Sequence, residues 1–146
     1  KKTPEGDFVD KEGNYIGRHK GIIHYTIGQR RGLGIPAASR LYVCEISPKT
    51  NTVVLGDNAD LFSSELEADS VNLISVDSLT EPKRVTAKIR YRHKEQPATA
   101  WQTPDGILHV KFDEPQRAIT KGQAVVMYDG DEVVGGGVIN KIYSQS

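Results

Sequence analysis

The sequence predicts a mainly β protein assembled from small barrels or sandwiches. Short runs of alternating apolar and polar residues recur along it, turn-forming Gly, Asn, Asp and Pro separate them at regular spacing, and helical periodicity is scarce. The 146 residues suffice for one domain with a real core or for two small domains.

In chain order, "DFVDKEGNYIGR" at 7–18 reads as two short strands around a turn at Lys11 to Asn14. The run "YTIGQRRG" at 25–32 fits one short helical turn. Thr26 is placed as N-cap and Gln29 at N3, Gly32 closes the turn in a left-handed conformation, and Pro36 blocks further helix. "LYVCEIS" at 41–47 and "TVVLG" at 52–56 are strands joined by a Pro-Lys-Thr-Asn turn. Residues 59–70 are acidic and Ser-rich, with Leu61, Phe62 and Leu66 as anchors, and read as a domain boundary.

Beyond the boundary, "RVTAKIRYR" at 84–92 alternates. Val85, Ala87, Ile89 and Tyr91 fall on one face, and Thr86, Lys88, Arg90 and Arg92 on the other. "ATAWQT" and "ILHVKF" flank a Pro104-Asp105-Gly106 turn, with Leu108, Val110 and Phe112 inward. "QAVVMYDGDEVVGGGVI" is a hairpin around Asp129-Gly130, in which Gly135 to Gly137 mark a bulge or a tight barrel corner.

Net charge is zero, yet charge is unevenly spread. No acid lies between Glu12 and Glu45, a gap that holds Arg18, Lys20, Arg30, Arg31 and Arg40. A second acid-free run, Lys83 to Lys94, holds Lys83, Arg84, Lys88, Arg90, Arg92 and Lys94. Such patches fit either a polyanion site or solvated strand faces. On a regular strand, Lys88, Arg90 and Arg92 would repeat at about 6.6–7 Å, a spacing able to follow a phosphate backbone.

Other chemistries find little support. Gly32-Leu33-Gly34 is followed by Ile35-Pro36 rather than a helix, and no phosphate-binding Lys motif is present. His19, His24, His93 and His109 lack metal-ligand spacing, so no metal is expected. Cys44, the single cysteine, excludes an internal disulfide and reads as a core thiol on the face of Tyr42 and Ile46. A lone cysteine suits a reducing, cytoplasmic setting, and no apolar run approaches the roughly 18 residues of a membrane span. Asp129 and Asp131 are turn residues rather than a catalytic pair.

The stretches "GDFVDKEGNYIGRHKGIIHYTIGQRRGLGI" (6–35), "IRYRHK" (89–94) and "FDEPQRAITKGQAVVMYDGDEVVGGGVI" (112–139) occur in order. Together they resemble the C-terminal half of the tRNA-specific 2-thiouridylases, the MnmA/TrmU family, over nearly the whole chain. The resemblance implies two small β-barrel domains with one or two short helical turns. Residues 1–62 would be a PRC-barrel-like central domain, and 63–146 a barrel resembling domain two of elongation factors.

The family's nucleotide-binding PP-loop, catalytic Asp and two catalytic cysteines precede the "GDFVD" motif. A chain that starts Lys-Lys-Thr-Pro is therefore expected to be a piece of a longer enzyme, inactive alone. It would carry no cofactor, while the parent's N-terminal domain would bind ATP with Mg. The parent would adenylate C2 of the wobble uridine and accept persulfide sulfur, giving 2-thiouridine. The implied partners are tRNA, a sulfur-carrier protein acting on the parent and the parent's own nucleotide-binding domain, with no membrane.

By the same resemblance Arg90, Tyr91 and Gln123 match tRNA-contacting positions. Lys88, Arg92, Gln29, Arg30 and Arg31 are candidates for contact with tRNA or with the missing domain. Arg90 and Tyr91 would face opposite ways on a regular strand, so either one binds through its backbone or the strand ends or bulges there. The competing function is a non-catalytic interaction module that docks a protein partner, with its basic strands merely solvated.

Overall fold

The computed structural model describes residues 4–36, 40–90 and 92–143. Its secondary structure is ten strands and short 3-10 turns, in two compact units, Lys1–Phe62 and Ser63–Ser146.

The first unit is a four-stranded sheet in the order β2-β1-β4-β3. Strands β1 (Gly6–Val9) and β2 (Tyr15–His19) form the expected hairpin. The Asp10 carboxylate accepts from the Asn14 and Glu12 backbone N–H groups, and Gly13 takes φ +90° to close the turn. β3 (Tyr42–Ser47) and β4 (Thr52–Gly56) pair antiparallel, and β4 runs parallel to β1. Phe8, Tyr25, Leu33, Val43, Val53 and Leu55 make the core. Among the described residues this sheet stays open, so closure into a barrel is seen only in the second unit.

That unit is a closed six-stranded barrel, β10-β5-β8-β7-β6-β9. Its strands are β5 (Phe62–Leu73), β6 (Lys83–Lys88), β7 (Gln96–Gln102), β8 (Leu108–Arg117), β9 (Ala124–Asp129) and β10 (Glu132–Ile142). Closure leaves no free edge and gives every strand an inward face. Leu66, Ala68, Val85, Ala87, Ala98, Ala100, Leu108, Val110, Phe112, Val125 and Met127 fill the interior.

One feature was not expected and one expectation changes. Residues 62–73, which overlap the acidic, Ser-rich segment read as a domain boundary, are one twelve-residue strand, β5, and the two units divide between Phe62 and Ser63. Leu66 and Ala68 turn inward while Glu65, Glu67 and Asp69 take the other face, so the acids occupy the wet side of a strand. Buried Ser63 donates its hydroxyl to the Tyr143 carbonyl. At the other end of the pattern, the strand expected over 84–92 stops at Lys88.

The glycine run at 135–137 lies where β10 passes between β5 and β9, with register shifts on both sides. A Cβ on Gly136 would lie 2.2 Å from the Val125 carbonyl oxygen, and one on Gly135 2.4 Å from that of Asn72. Only glycine permits so close a passage of backbones.

Candidate nucleic-acid interface

The early end of β6 reshapes the basic row. Lys88 stays on the strand, half-buried, with its ammonium 5.7 Å from the Tyr128 ring centroid. Ile89 turns into the barrel core, and a turn follows in which the His93 N–H donates to the Arg90 carbonyl at 3.1 Å. Arg92, His93 and Lys94 are exposed on this turn. Lys88, Arg90 and Arg92 therefore do not form the evenly spaced strand row that alternation predicts. Tyr91 lies outside the described residues.

Arg90 points across to the next loop. Its guanidinium donates to the Arg117 carbonyl at 2.9 Å and to the adjacent Ala118 carbonyl. Burial, and then the charge of Arg117, pull its pKa below the ordinary guanidinium value. Ala118 is left-handed, φ +58°, and its carbonyl also accepts from the Thr120 hydroxyl at 3.0 Å.

Gln123 ends this same loop with its side chain exposed. Its N–H donates to the Thr120 carbonyl at 3.3 Å and its carbonyl accepts from the Ile139 N–H at 2.9 Å. The Gly122 N–H donates back to Ile139 at 2.8 Å, and Gly122 takes φ +87° to allow it. The structure thus joins the β6–β7 loop, with Arg90, to the β8–β9 loop, with Gln123. Lys121 is exposed beside Gln123, a cation that the sequence reading passed over because its segment lies outside both acid-free runs.

Elsewhere in the basic run, charge is already spent. Arg84 grips Asp113 with two bonds of 2.8 and 2.7 Å and also reaches Thr99. The Arg84 guanidinium holds the Asp113 carboxyl below the usual carboxylate range. Lys83 pairs with Asp129 at 2.9 Å. Arg92, Lys94 and Lys121 have no ion pair among the described residues, which concentrates uncompensated charge on the joined loops.

In the first unit, the helical turn expected at 25–32 is a β-turn. The Gln29 N–H donates to the Thr26 carbonyl at 3.0 Å, and Gly28 sits at the third position with φ +93°. A 3-10 turn, Ile22–His24, comes just before it. The Gln29 side chain is occupied at both ends, accepting from the Thr26 N–H at 3.0 Å and donating to the Arg31 carbonyl at 2.9 Å. One half of the expected capping reciprocity is therefore present, on a turn that never becomes helix. Gly28 and Gln29 also hydrogen-bond Val43 and so cover the outer side of β3. Arg30 is exposed with its guanidinium 5.9 Å from the Tyr42 ring, and Arg31 is exposed.

His19 is no ligand. It is 1% exposed, its Nδ1 accepts from the Gly21 N–H at 2.9 Å, and its Nε2 lies 2.8 Å from the Asn51 carbonyl oxygen. The first contact makes Nδ1 the acceptor and leaves Nε2 to donate. Phe8, His19 and Tyr25 pack edge to face. Among the described residues no three His, Cys, Asp or Glu side chains cluster to hold a metal, and no helix is long and apolar enough to cross a membrane.

Residues 1–57 match the family described as "tRNA methyl transferase PRC-barrel domain", and residues 63–139 match "Aminomethyltransferase beta-barrel domain". A tRNA-specific 2-thiouridylase of Clostridioides difficile strain 630 is 59% identical over 141 residues, 97% of this chain and 39% of the relative. Those of Acetivibrio thermocellus and Clostridium acetobutylicum are 55% and 53% identical, each over 95% of this chain and 39% of the relative. The chain belongs to the tRNA-specific 2-thiouridylase family, and it spans about two fifths of the length of these relatives.

Proposed function

We propose that this chain is the tRNA-binding, substrate-positioning portion of an ATP-dependent tRNA thiolase that makes 2-thiouridine at the wobble position. The observation that carries this reading is the junction of the β6–β7 and β8–β9 loops. On these two loops Arg92 and Lys94, and Lys121 with Gln123, stand exposed, the three cations without ion pairs among the described residues, in a chain whose relatives are named for tRNA thiolation. Cations of this kind supply phosphate affinity, while the Gln123 amide can donate to phosphate or ribose. Tyr91, between Arg90 and Arg92 in sequence, belongs to the same proposed contact, and Lys88 flanks it. Arg30 and Arg31 form a second basic surface for tRNA or for the nucleotide-binding domain, with Gln29 shaping their loop.

On this reading ATP with Mg, the persulfide chemistry and the sulfur carrier act through the part of the enzyme outside this chain, and the location is cytoplasmic. Titrating the chain with unmodified tRNA at several salt concentrations tests it. Each phosphate contact contributes roughly 0.7–0.9 to the slope of log affinity against log salt, so three to four contacts predict a slope of about −2 to −4. Binding that is absent or insensitive to salt sinks this reading and favours a protein-docking module.

A further inference from the structure

Arg90 is the cation of the basic run whose donors are most fully engaged by carbonyls. A guanidinium offers its N–H groups as a rigid planar fork. Here that fork meets two consecutive carbonyls, those of Arg117 and Ala118. In an extended strand consecutive carbonyls point apart. The dihedrals of Ala118 set the angle between them, and its left-handed φ of +58°, disfavoured for any residue with a Cβ, turns both toward one donor group. The Thr120 hydroxyl adds a third bond to the same turn. Ala118 and Ile119 are both buried, so this turn is packed in place and not a loose surface excursion.

Beyond the turn, the loop is secured from the far side by the two bonds between Gly122, Gln123 and Ile139 of β10. Gln123 and Lys121 thus sit between two anchors, β10 at one end and Arg90 at the other. Arg90 is itself fixed by buried Ile89 before it and by the His93 N–H on its carbonyl.

We infer that Arg90 is a positioning residue, which serves RNA binding by holding the 117–123 loop so that Lys121 and Gln123 present to the ligand, and not by pairing a phosphate itself. This rests on the tRNA-binding reading and changes what Arg90 does within it. A phosphate that took the Nη1–Nη2 edge, which faces the loop, would leave two carbonyls of a left-handed turn without their charged donor. Arg92, Lys94 and Lys121 can take a phosphate with no such loss.

Arg90→Lys separates the two roles, because it keeps the charge and loses the fork. Two readouts are needed: amide hydrogen exchange at Gly122, Gln123 and Ile139 in the free chain, and tRNA affinity across salt concentrations. Positioning predicts that Arg90→Lys speeds exchange at these amides roughly tenfold or more, while core amides such as Val110 keep their protection. It also predicts roughly tenfold weaker tRNA binding, with Arg90→Ala no more than a few-fold worse than Arg90→Lys. Arg92→Ala, an exposed neighbour, should leave exchange unchanged and flatten the salt slope by about 0.7–0.9.

Wild-type exchange and near wild-type affinity in Arg90→Lys would overturn the inference and make Arg90 a simple phosphate contact. Should Arg90→Ala fail to fold, Arg90→Lys still decides. If the wild-type chain shows no salt-dependent tRNA binding, it is the tRNA reading that fails. Exchange in the free chain then decides alone whether Arg90 orders the loop, and unchanged exchange overturns the inference there too.

Discussion

Cys44 lies half-buried on β3, its thiol 3.4 Å from the Tyr42 carbonyl oxygen. Burial pushes the thiol up to about 11, and the Asp60 and Asp57 carboxylates add to the shift. A reactive cysteine needs the opposite surroundings. Relative to an ordinary thiol at 9.0, the thiolate fraction near pH 8 should be about 100-fold lower. A thiol-specific reagent should therefore label the native chain about 100-fold or more slower than the urea-unfolded chain, and equal rates would refute the burial argument. Because the folded value is the raised one, the stability tied to this proton is complete below about pH 9 and is lost as pH rises toward about 11. His19 and Gln29 make the complementary point. The sequence shows one as an isolated imidazole and the other as a projecting amide, yet both are consumed by nearby backbone. Nothing in residue type or spacing reveals that, because the partners Asn51 and Gly21 are matched to His19 by the fold.

Among the strands, legibility followed amphipathic alternation and turn chemistry. The hairpins around Gly13, Gly106 and Gly130 are readable because each turn needs positive φ and supplies a glycine for it. β5 is hidden because its outward face is acidic and Ser-rich, while the side chains it packs on the barrel core are few, Leu66 and Ala68 buried and Val71 and Leu73 partly so. β6 is over-read at its C-terminal end. Alternation continues in the sequence through Arg92, but burial of Ile89 and the pull of Arg90 toward Arg117 and Ala118 end the strand at Lys88. The candidate site was legible as charge and illegible as geometry, since only the fold brings residue 90 to residue 118. β10 supplies a direct test of barrel closure. Gly136→Ala would set a Cβ 2.2 Å from the Val125 carbonyl oxygen, backbone that can yield only by parting β9 from β10. We expect a loss of about 3 kcal/mol or more in urea unfolding. Gly34→Ala, with nothing within 4 Å of its added Cβ but φ +81°, should cost only about 1 kcal/mol. Equal losses would mean that the close approach of β10 to β9 does not limit the barrel.

At the scale of the whole chain, the two units differ in how completely each buries its own strands. The barrel closes on itself around a continuous core from Leu66 to Ile139, so no strand edge is left to pair. The first unit is a four-stranded open sheet with a smaller core, partly shielded by the Gly28-Gln29 contacts to Val43. Residues 63–146 on their own should therefore unfold cooperatively in urea, with a midpoint close to that of the corresponding transition in the whole chain. The same fragment divides the proposed functional surfaces, because it retains Arg90, Arg92, Lys94, Lys121 and Gln123 and lacks Arg30 and Arg31. If the joined loops carry the RNA contact, the barrel alone should bind tRNA within about threefold of the 146-residue chain and with the same salt slope. A loss of tenfold or more, with the fragment still folded, would move the main contact to the first unit, where Arg30 and Arg31 lie exposed on the loop that Gln29 holds.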